Sequence, residues 1–259
     1  MSTKKSPKVR LDALLVEREL ADSRTQAKAL VMAGAVFSGE RRLDKPGVTV
    51  SQDLPLEVRE RGHPWASRGG LKLDHALEEF ALDVSGRIAL DLGASTGGFT
   101  DVLLSRGAAK VYAVDVGHGQ LAWKLRNDER VVVLERTNAR HLTRELVPDP
   151  IGVIVCDASF IGLRTVLPAA LGLAAGKADL VALIKPQFEV GKGKVGKGGV
   201  VRDAALHQEV CDSIRDWLDG LSGWTVTGLT ESPVLGPKGN KEFLIAAHYR
   251  RGQSTFRPD

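Results

Sequence analysis

The sequence predicts an α/β fold, a mostly parallel sheet covered by helices on both faces, with a small α+β module ahead of it. Three observations carry this. From residue 86 onward, short apolar runs alternate with helix-length segments, the pattern of parallel strands buried on both sides. A glycine-rich turn, Asp91 to Thr100, follows the first of these runs. A polar stretch holding Gly and Pro, residues 59–68, sets off the first part of the chain and reads as a linker. The expected organisation is a first domain over 9–58, a linker over 59–68 and a second domain over 69–250.

In the first domain, Leu11, Leu14, Leu15 and Leu20 are spaced for one face of a helix. Asp22 and Ser23 offer an N-cap to a second helix, whose inner face holds Ala27, Leu30 and Val31 and whose end falls at Gly34. Two strands are expected at Val36-Phe37 and over Leu54–Val58, joined through Lys45-Pro46-Gly47. In the second domain, strands are expected at Ile88–Leu90, Val111–Val114, Val131–Leu134, Ile151–Cys156, Leu180–Ile184, Trp224–Val226 and Glu242–Ala247. Residues 251–259 read as a polar tail.

Composition narrows the function. At 43% hydrophobic and 26% charged residues, the 259-residue chain has ordinary globular usage, which excludes wholesale disorder. It has no run of about 18 apolar residues to cross a bilayer, and no apolar stretch follows its basic first residues, so neither a membrane anchor nor a secretory signal is expected. Two cysteines, Cys156 and Cys211, make no disulfide scaffold, and a reducing cytoplasm fits. The net charge is +4. Residues 1–66 carry 12 Lys+Arg against 9 Asp+Glu, and the other 193 residues 24 against 23. A basic module beside a near-neutral one points to an anionic partner such as nucleic acid.

The turn Asp91-Leu92-Gly93-Ala94-Ser95-Thr96-Gly97-Gly98-Phe99-Thr100 follows a strand and opens a helix. Its glycines let the backbone approach a ligand. Its spacing is not that of the dinucleotide fingerprint; it is similar to the cofactor loop of class I S-adenosylmethionine (SAM) methyltransferases. Asp115 ends the second strand, 22 residues after Gly93, where a carboxylate can accept both hydroxyls of a ribose. Asp91, Gly93, Ser95, Thr96, Gly97, Gly98 and Asp115 are therefore the expected cofactor residues, with Asn138, after the third strand, a candidate near the adenine. Gly191–Gly198 comes close to a phosphate-binding ATPase loop but lacks the Ser/Thr that follows the lysine. Its lysines, Lys192, Lys194 and Lys197, suit a nucleic-acid backbone instead.

Asp157 and Lys185 follow the fourth and fifth strands, Glu242 starts the last, and Lys72 stands ahead of a helix. The carboxyl ends of parallel strands line the ligand crevice of such a sheet, and an antiparallel last strand starts on the same edge. Separations of 85, 28 and 57 residues mean that only the fold can bring the four together, as two acids and two lysines around one reactive group. The Cys and His residues form no ligand-spaced cluster, and no metal is expected.

These stretches, with Ser67–Leu73, Ala113–Gly117, Cys156–Ile161, Ile184–Glu189 and Gly236–Leu244, resemble the TlyA family of ribosomal RNA 2′-O-methyltransferases, historically labelled hemolysins. That family joins an S4 RNA-binding domain to an FtsJ-like methyltransferase domain. The S4 part rests on Arg10-Leu11-Asp12, Ser23-Arg24 and Ala33–Val36; Phe37-Ser38-Gly39 departs from the usual Val-Asn-Gly. The resemblance implies SAM as methyl donor, cytidine ribose of ribosomal RNA within ribosomal subunits as substrate, and a Lys-Asp-Lys-Glu tetrad at Lys72, Asp157, Lys185 and Glu242. A ribose hydroxyl is a weak nucleophile that must be held in line with the methyl carbon and relieved of its proton; Lys185 is the candidate base or oxygen-orienting group. RNA contacts are expected at Arg10, Ser23, Arg24, Lys28, Arg41 and Arg68 and on the basic loop. Two other functions stand against this: a non-catalytic ribosome-assembly factor that retains the fold, and a pore-forming cytolysin.

Overall fold

The computed structural model describes residues 7–21, 23–32, 34–58, 63–191, 193–196 and 198–252. The chain divides into two compact units, Met1–Pro64 and Trp65–Asp259.

The first unit comprises β1 (Lys8–Arg10), α1 (Leu11–Glu17), α2 (Arg24–Met32), β2 (Val36–Ser38), β3 (Arg41–Arg42), β4 (Thr49–Ser51) and β5 (Glu57–Val58). Strand β1 pairs antiparallel with β4, and β2 pairs with both β3 and β5. Leu11, Leu15, Ala27, Val31 and Val36 form its core. Ser23 Oγ accepts from the Gln26 N–H and so caps α2; Asp22, the other expected cap, lies outside the described residues. The strand expected over 54–58 is paired only at Glu57-Val58, because Pro55 has no N–H for a ladder. Strands β1, β3 and β4, of two or three residues, are too short to leave an alternating pattern.

The second unit contains α3 (Gly69–Glu79), β6 (Ile88–Leu92), α4 (Gly98–Ser105), β7 (Lys110–Val114), α5 (Trp123–Arg126), β8 (Val131–Leu134), β9 (Ile151–Cys156), α6 (Leu163–Leu171), β10 (Ala174–Ile184), α7 (Pro186–Glu189), α8 (Ala204–Asp219), β11 (Trp224–Glu231) and β12 (Phe243–Arg250). Its seven-stranded sheet has the order β11-β12-β10-β9-β6-β7-β8. Strand β12 is antiparallel to both neighbours, and the pairings from β10 to β8 are parallel. Alternate residues feed two cores. Ile154, Cys156, Leu180, Ala182 and Ile184 face α6 and α8; Val153, Val155, Val181 and Leu183 face α3 and α4.

Lys72 differs from its expected position. Helix α3 starts at Gly69, so Lys72 lies in its first turns and not ahead of it. The paired glycines Gly69-Gly70 hid the helix start, since glycine is a poor helix former. Here they allow close packing: a Cβ on Gly70 would overlap Trp65. Trp65 and Ala66, within the expected linker, pack on the second unit's core, and Ala66 N–H donates to Asp101 Oδ2 at 2.7 Å. Residues 59–62 of that stretch lie outside the described residues.

Candidate active site

The crevice opens at the carboxyl ends of the parallel strands. After β6 the chain turns at Gly93, whose N–H, with that of Ala94, donates to Val114 O at the end of β7. Gly93 has φ +82°, and a Cβ there would stand 2.9 Å from the Ala158 α-carbon; only glycine fits both the torsion and the approach. Gly97, also at positive φ, leads into α4. Asp115 accepts from Ser95 N–H at 2.8 Å through one carboxylate oxygen and from Gly117 N–H at 2.7 Å through the other. It thus ties the glycine-rich turn to the end of β7. Between them lies a shallow cleft, lined among others by Ser95, Asp115, Gly117, Gln120, Val133 and Glu135.

The other expected cofactor residues are placed differently. Thr96 gives its carbonyl to Ala122 N–H. Gly98 is the first residue of α4 and is pressed against Ser67. Asn138 caps a short turn, its Oδ1 accepting from Arg140 N–H at 3.1 Å, and is not among the cleft's lining residues. Asp91 is fully buried below the loop, with Oδ2 accepting from Thr100 Oγ1 at 2.7 Å. Burial pushes its carboxyl up to about 7; the Thr100 hydrogen bond opposes this, and the charges of Asp157 and Asp115 add to it. Gln120 and Glu135 escaped the sequence reading because they sit in irregular turns with no motif; Gly117 stood in the stretch Ala113–Gly117 but was not singled out.

Beside this loop the structure brings Lys72, Asp157, Lys185 and Glu242 together. Lys185 Nζ lies 2.7 Å from Asp157 Oδ1 and donates to Asp157 O at 3.0 Å and to Ser159 Oγ at 2.9 Å. Lys72 Nζ donates to Glu242 Oε2 at 2.6 Å and stands 3.7 Å from Asp157 Oδ2. The Glu242 side chain is fully covered and that of Asp157 is 21% exposed. Two cations and two anions balance, which is what allows such groups to remain charged away from water. Glu242 Oε1 is buried without a hydrogen-bond partner among the described residues.

Two neighbours were missed from sequence. Ser159 supplies the third acceptor to Lys185. Phe160, next to it, is 91% exposed at φ +66° and lies against Phe188 with ring centroids 5.2 Å apart. Both stand in the stretch Cys156–Ile161, one of those that carry the family resemblance, which was the available signal.

The chain has relatives over most of its length. The FtsJ-like methyltransferase model matches residues 65–249, and the S4 domain model matches 9–54. The chain belongs to the FtsJ-like methyltransferase family. Among its relatives is the 16S/23S rRNA (cytidine-2′-O)-methyltransferase TlyA of Mycobacterium tuberculosis, 53% identical over 92% of this chain and 89% of that one. Hemolysin A of Brachyspira hyodysenteriae is 41% identical over 93% of this chain and 99% of that one. A solved structure from Streptococcus thermophilus superposes with a TM-score of 0.73 at 41% identity, covering 95% of this chain and 90% of that one.

The methyl donor of this family is SAM, and the residues present fit it. The cleft beside the glycine turn has a carboxylate at its rim, and the close approach at Gly93 leaves no room for a side chain. Among the described residues there is no group of three His, Cys, Asp or Glu placed to hold a metal, and no helix long and apolar enough to cross a membrane.

Of the expected RNA contacts, Arg10 and Arg24 converge on the buried carboxylate of Asp12. Arg10 donates through Nε and Nη2 at 3.0 and 2.8 Å, and Arg24 through Nη2 at 3.3 Å. The Arg10 guanidinium draws the Asp12 carboxyl down to about 2, with Arg24 adding to the effect against burial. Both arginines keep half or more of their side chains exposed. Ser23, Lys28, Arg41 and Arg68 are also exposed. Lys194 pairs with Glu209; Lys192 and Lys197 lie outside the described residues.

Proposed function

We propose that this protein is a SAM-dependent 2′-O-methyltransferase acting on a cytidine ribose of ribosomal RNA within ribosomal subunits, in the cytoplasm. The juxtaposition of the Lys72–Glu242 and Lys185–Asp157 pairs with the glycine-rich cofactor turn is the observation that carries this reading. When bound, SAM supplies a methyl group already activated on a sulfonium. Gly93, Gly97 and Asp115 hold the donor, with Ser95, Gly117 and Gln120 around it. Asp91 supports the turn from beneath through Thr100.

The remaining work is to seat and deprotonate the 2′-hydroxyl. Lys185 faces it from the end of β10. Asp157 Oδ1, Asp157 O and Ser159 Oγ orient Lys185 Nζ; once Nζ has released a proton to solvent, its free amine takes the 2′-hydroxyl proton as the oxygen accepts the methyl group. The ribose oxygen enters by taking the place of Ser159, whose exposed hydroxyl turns about a single torsion. Asp157 fixes Lys185 Nζ, and the Lys72–Glu242 pair fixes Asp157 from its other oxygen. Phe160 offers the target base a face on which to stack. Residues 9–58 supply RNA affinity through Arg10, Ser23, Arg24, Lys28 and Arg41, and Arg68 and the basic loop add phosphate contacts near the crevice.

Mass-spectrometric mapping of 2′-O-methyl groups on ribosomes incubated with SAM and the protein tests the reading. New methyl groups are expected with wild type. With Lys185→Ala the single-turnover rate is expected to fall by about 10²–10⁴-fold. Lys185→Arg is expected to be no better, since a guanidinium keeps its protons. An unmodified ribosome, or a Lys185→Arg enzyme running at the wild-type rate, overturns it.

A further inference from the structure

The glycine-rich basic loop and Glu242 are fastened to each other, and one buried side chain does most of the fastening. Asn240 is 3% exposed. Its Oδ1 accepts from Val201 N–H at 3.1 Å, and its Nδ2 donates to Gly199 O at 3.0 Å and to Pro237 O at 3.1 Å. All three heavy-atom contacts are of ordinary length; the bonds to Val201 and Gly199 join segments 39 and 41 positions apart, and the bond to Pro237 lies within the turn itself. Val201 is also held from its other side, because its carbonyl lies 3.0 Å from His207 Nε2. The His207 ring in turn packs on Phe243, centroids 5.6 Å apart. Lys238, at φ +59°, donates to Gly198 O.

The same turn shapes the floor under Glu242. Gly236 N–H donates to Asn240 O at 2.8 Å, which closes residues 236–240 into a ring-like turn. Closure brings the Gly236 α-carbon against the Glu242 carboxylate, so that a Cβ on Gly236 would overlap Oε1 and Cδ. Gly236 has φ −71°, which any residue adopts; space, not torsion, requires glycine here. A displaced Glu242 carboxylate would lose its 2.6 Å contact with Lys72.

We infer that Asn240 is a positioning residue for methyl transfer: it clasps the 198–201 end of the basic loop to the turn that seats Glu242. The inference rests on the methyltransferase reading above. It goes beyond that reading in making the reactive cluster depend on how the basic loop is anchored. RNA phosphate held by the loop then bears on Glu242 through Val201, Asn240 and Gly236, a contiguous chain of contacts.

The test uses the full chain, SAM and ribosomal subunits in a single-turnover assay at saturating concentrations of both, with wild type alongside. Asn240→Ala is expected to lower the methyl-transfer rate at least tenfold, with SAM affinity by calorimetry changed less than twofold. Hydrogen exchange at Val201 is expected to speed up in the same variant. Gly236→Ala, which leaves every Asn240 side-chain bond in place, is expected to lower the rate similarly without faster exchange at Val201. That pattern separates seating of Glu242 from general loosening. A wild-type enzyme that transfers no methyl group defeats the methyltransferase reading itself. An active wild type with Asn240→Ala at an unchanged rate overturns the clasp alone, as does a parallel loss of rate and SAM affinity. If Asn240→Ala does not fold, Gly236→Ala decides: an unchanged rate with a Cβ under Glu242 overturns the inference.

Discussion

Glu242 Oε2 lies 2.6 Å from Lys72 Nζ, although the two residues are 170 positions apart in the chain and both are buried. The pair is worth more intact than either half. Glu242→Gln leaves a covered ammonium whose nearest carboxylate, Asp157, is 3.7 Å away. Removing one partner of such a pair typically costs about 3–5 kcal/mol, and a loss of about 3 kcal/mol is expected in urea unfolding. The double replacement Lys72→Met with Glu242→Leu is expected to recover most of that stability and none of the methyl transfer. Full stability in Glu242→Gln would mean that the ammonium is paired elsewhere.

Asp115 has two duties. It accepts from Ser95 and Gly117 and stands at the rim of the cleft. Asp115→Ala is expected to weaken SAM by about 1.5–3 kcal/mol, the scale of a charged hydrogen-bonding group lost. Isothermal calorimetry gives the answer, and an unchanged affinity rejects the ribose assignment.

Asp91 makes stability depend on pH. Its carboxyl is pushed up to about 7 from 3.8 by burial, so the folded state holds the proton more tightly than the unfolded chain. Folding is therefore favoured below about pH 4, loses ground as pH rises towards 7, and stays penalised above. The penalty is on the order of 2–4 kcal/mol. Asp91→Asn keeps an acceptor for Thr100 and is expected to remove this slope. Melting temperatures of the SAM-free protein between pH 5 and 8 report it; parallel curves for wild type and variant would place the ionisation elsewhere.

Arg10 and Arg24 are aimed by one carboxylate, Asp12. Replacing either with Ala is expected to weaken ribosome binding and to lower the slope of log affinity against log salt by about 1 each. SAM affinity should not move. An unaltered salt slope would take both residues out of the RNA interface.

The turn from Asp91 to Thr100 and its partner Asp115 were legible because their chemistry is written in local spacing and in the rhythm of the strands around them. That Asp157, Lys185 and Glu242 come together was legible, since strand ends and the start of a reversed strand share one edge; Lys72, on α3, joined the set through the family resemblance. The pairing of the four was not legible. Nothing in separations of 85, 28 and 57 residues says that Lys72 takes Glu242 and that Lys185 takes Asp157 with Ser159. Such partners are chosen by side-chain reach across helix and sheet. The start of α3 was obscured by Gly69-Gly70, and the role of Asn240 by its place in an irregular turn, where buried contacts leave no periodic trace.

Strand β12 runs against its neighbours and lies between β10 and β11. That reversal delivers Glu242 to the reactive edge from the last strand of the sheet, after the rest of the crevice has been laid down in sequence. A chain cut between the end of β11 and Glu242 keeps the glycine turn, Asp115, Asp157 and both lysines. It lacks the acid nearest Lys72, and it leaves the hydrogen-bonding edges of β10 and β11 without their shared partner. Loss of β12 together with Glu242 is expected to stop methyl transfer and to leave strand edges prone to aggregation.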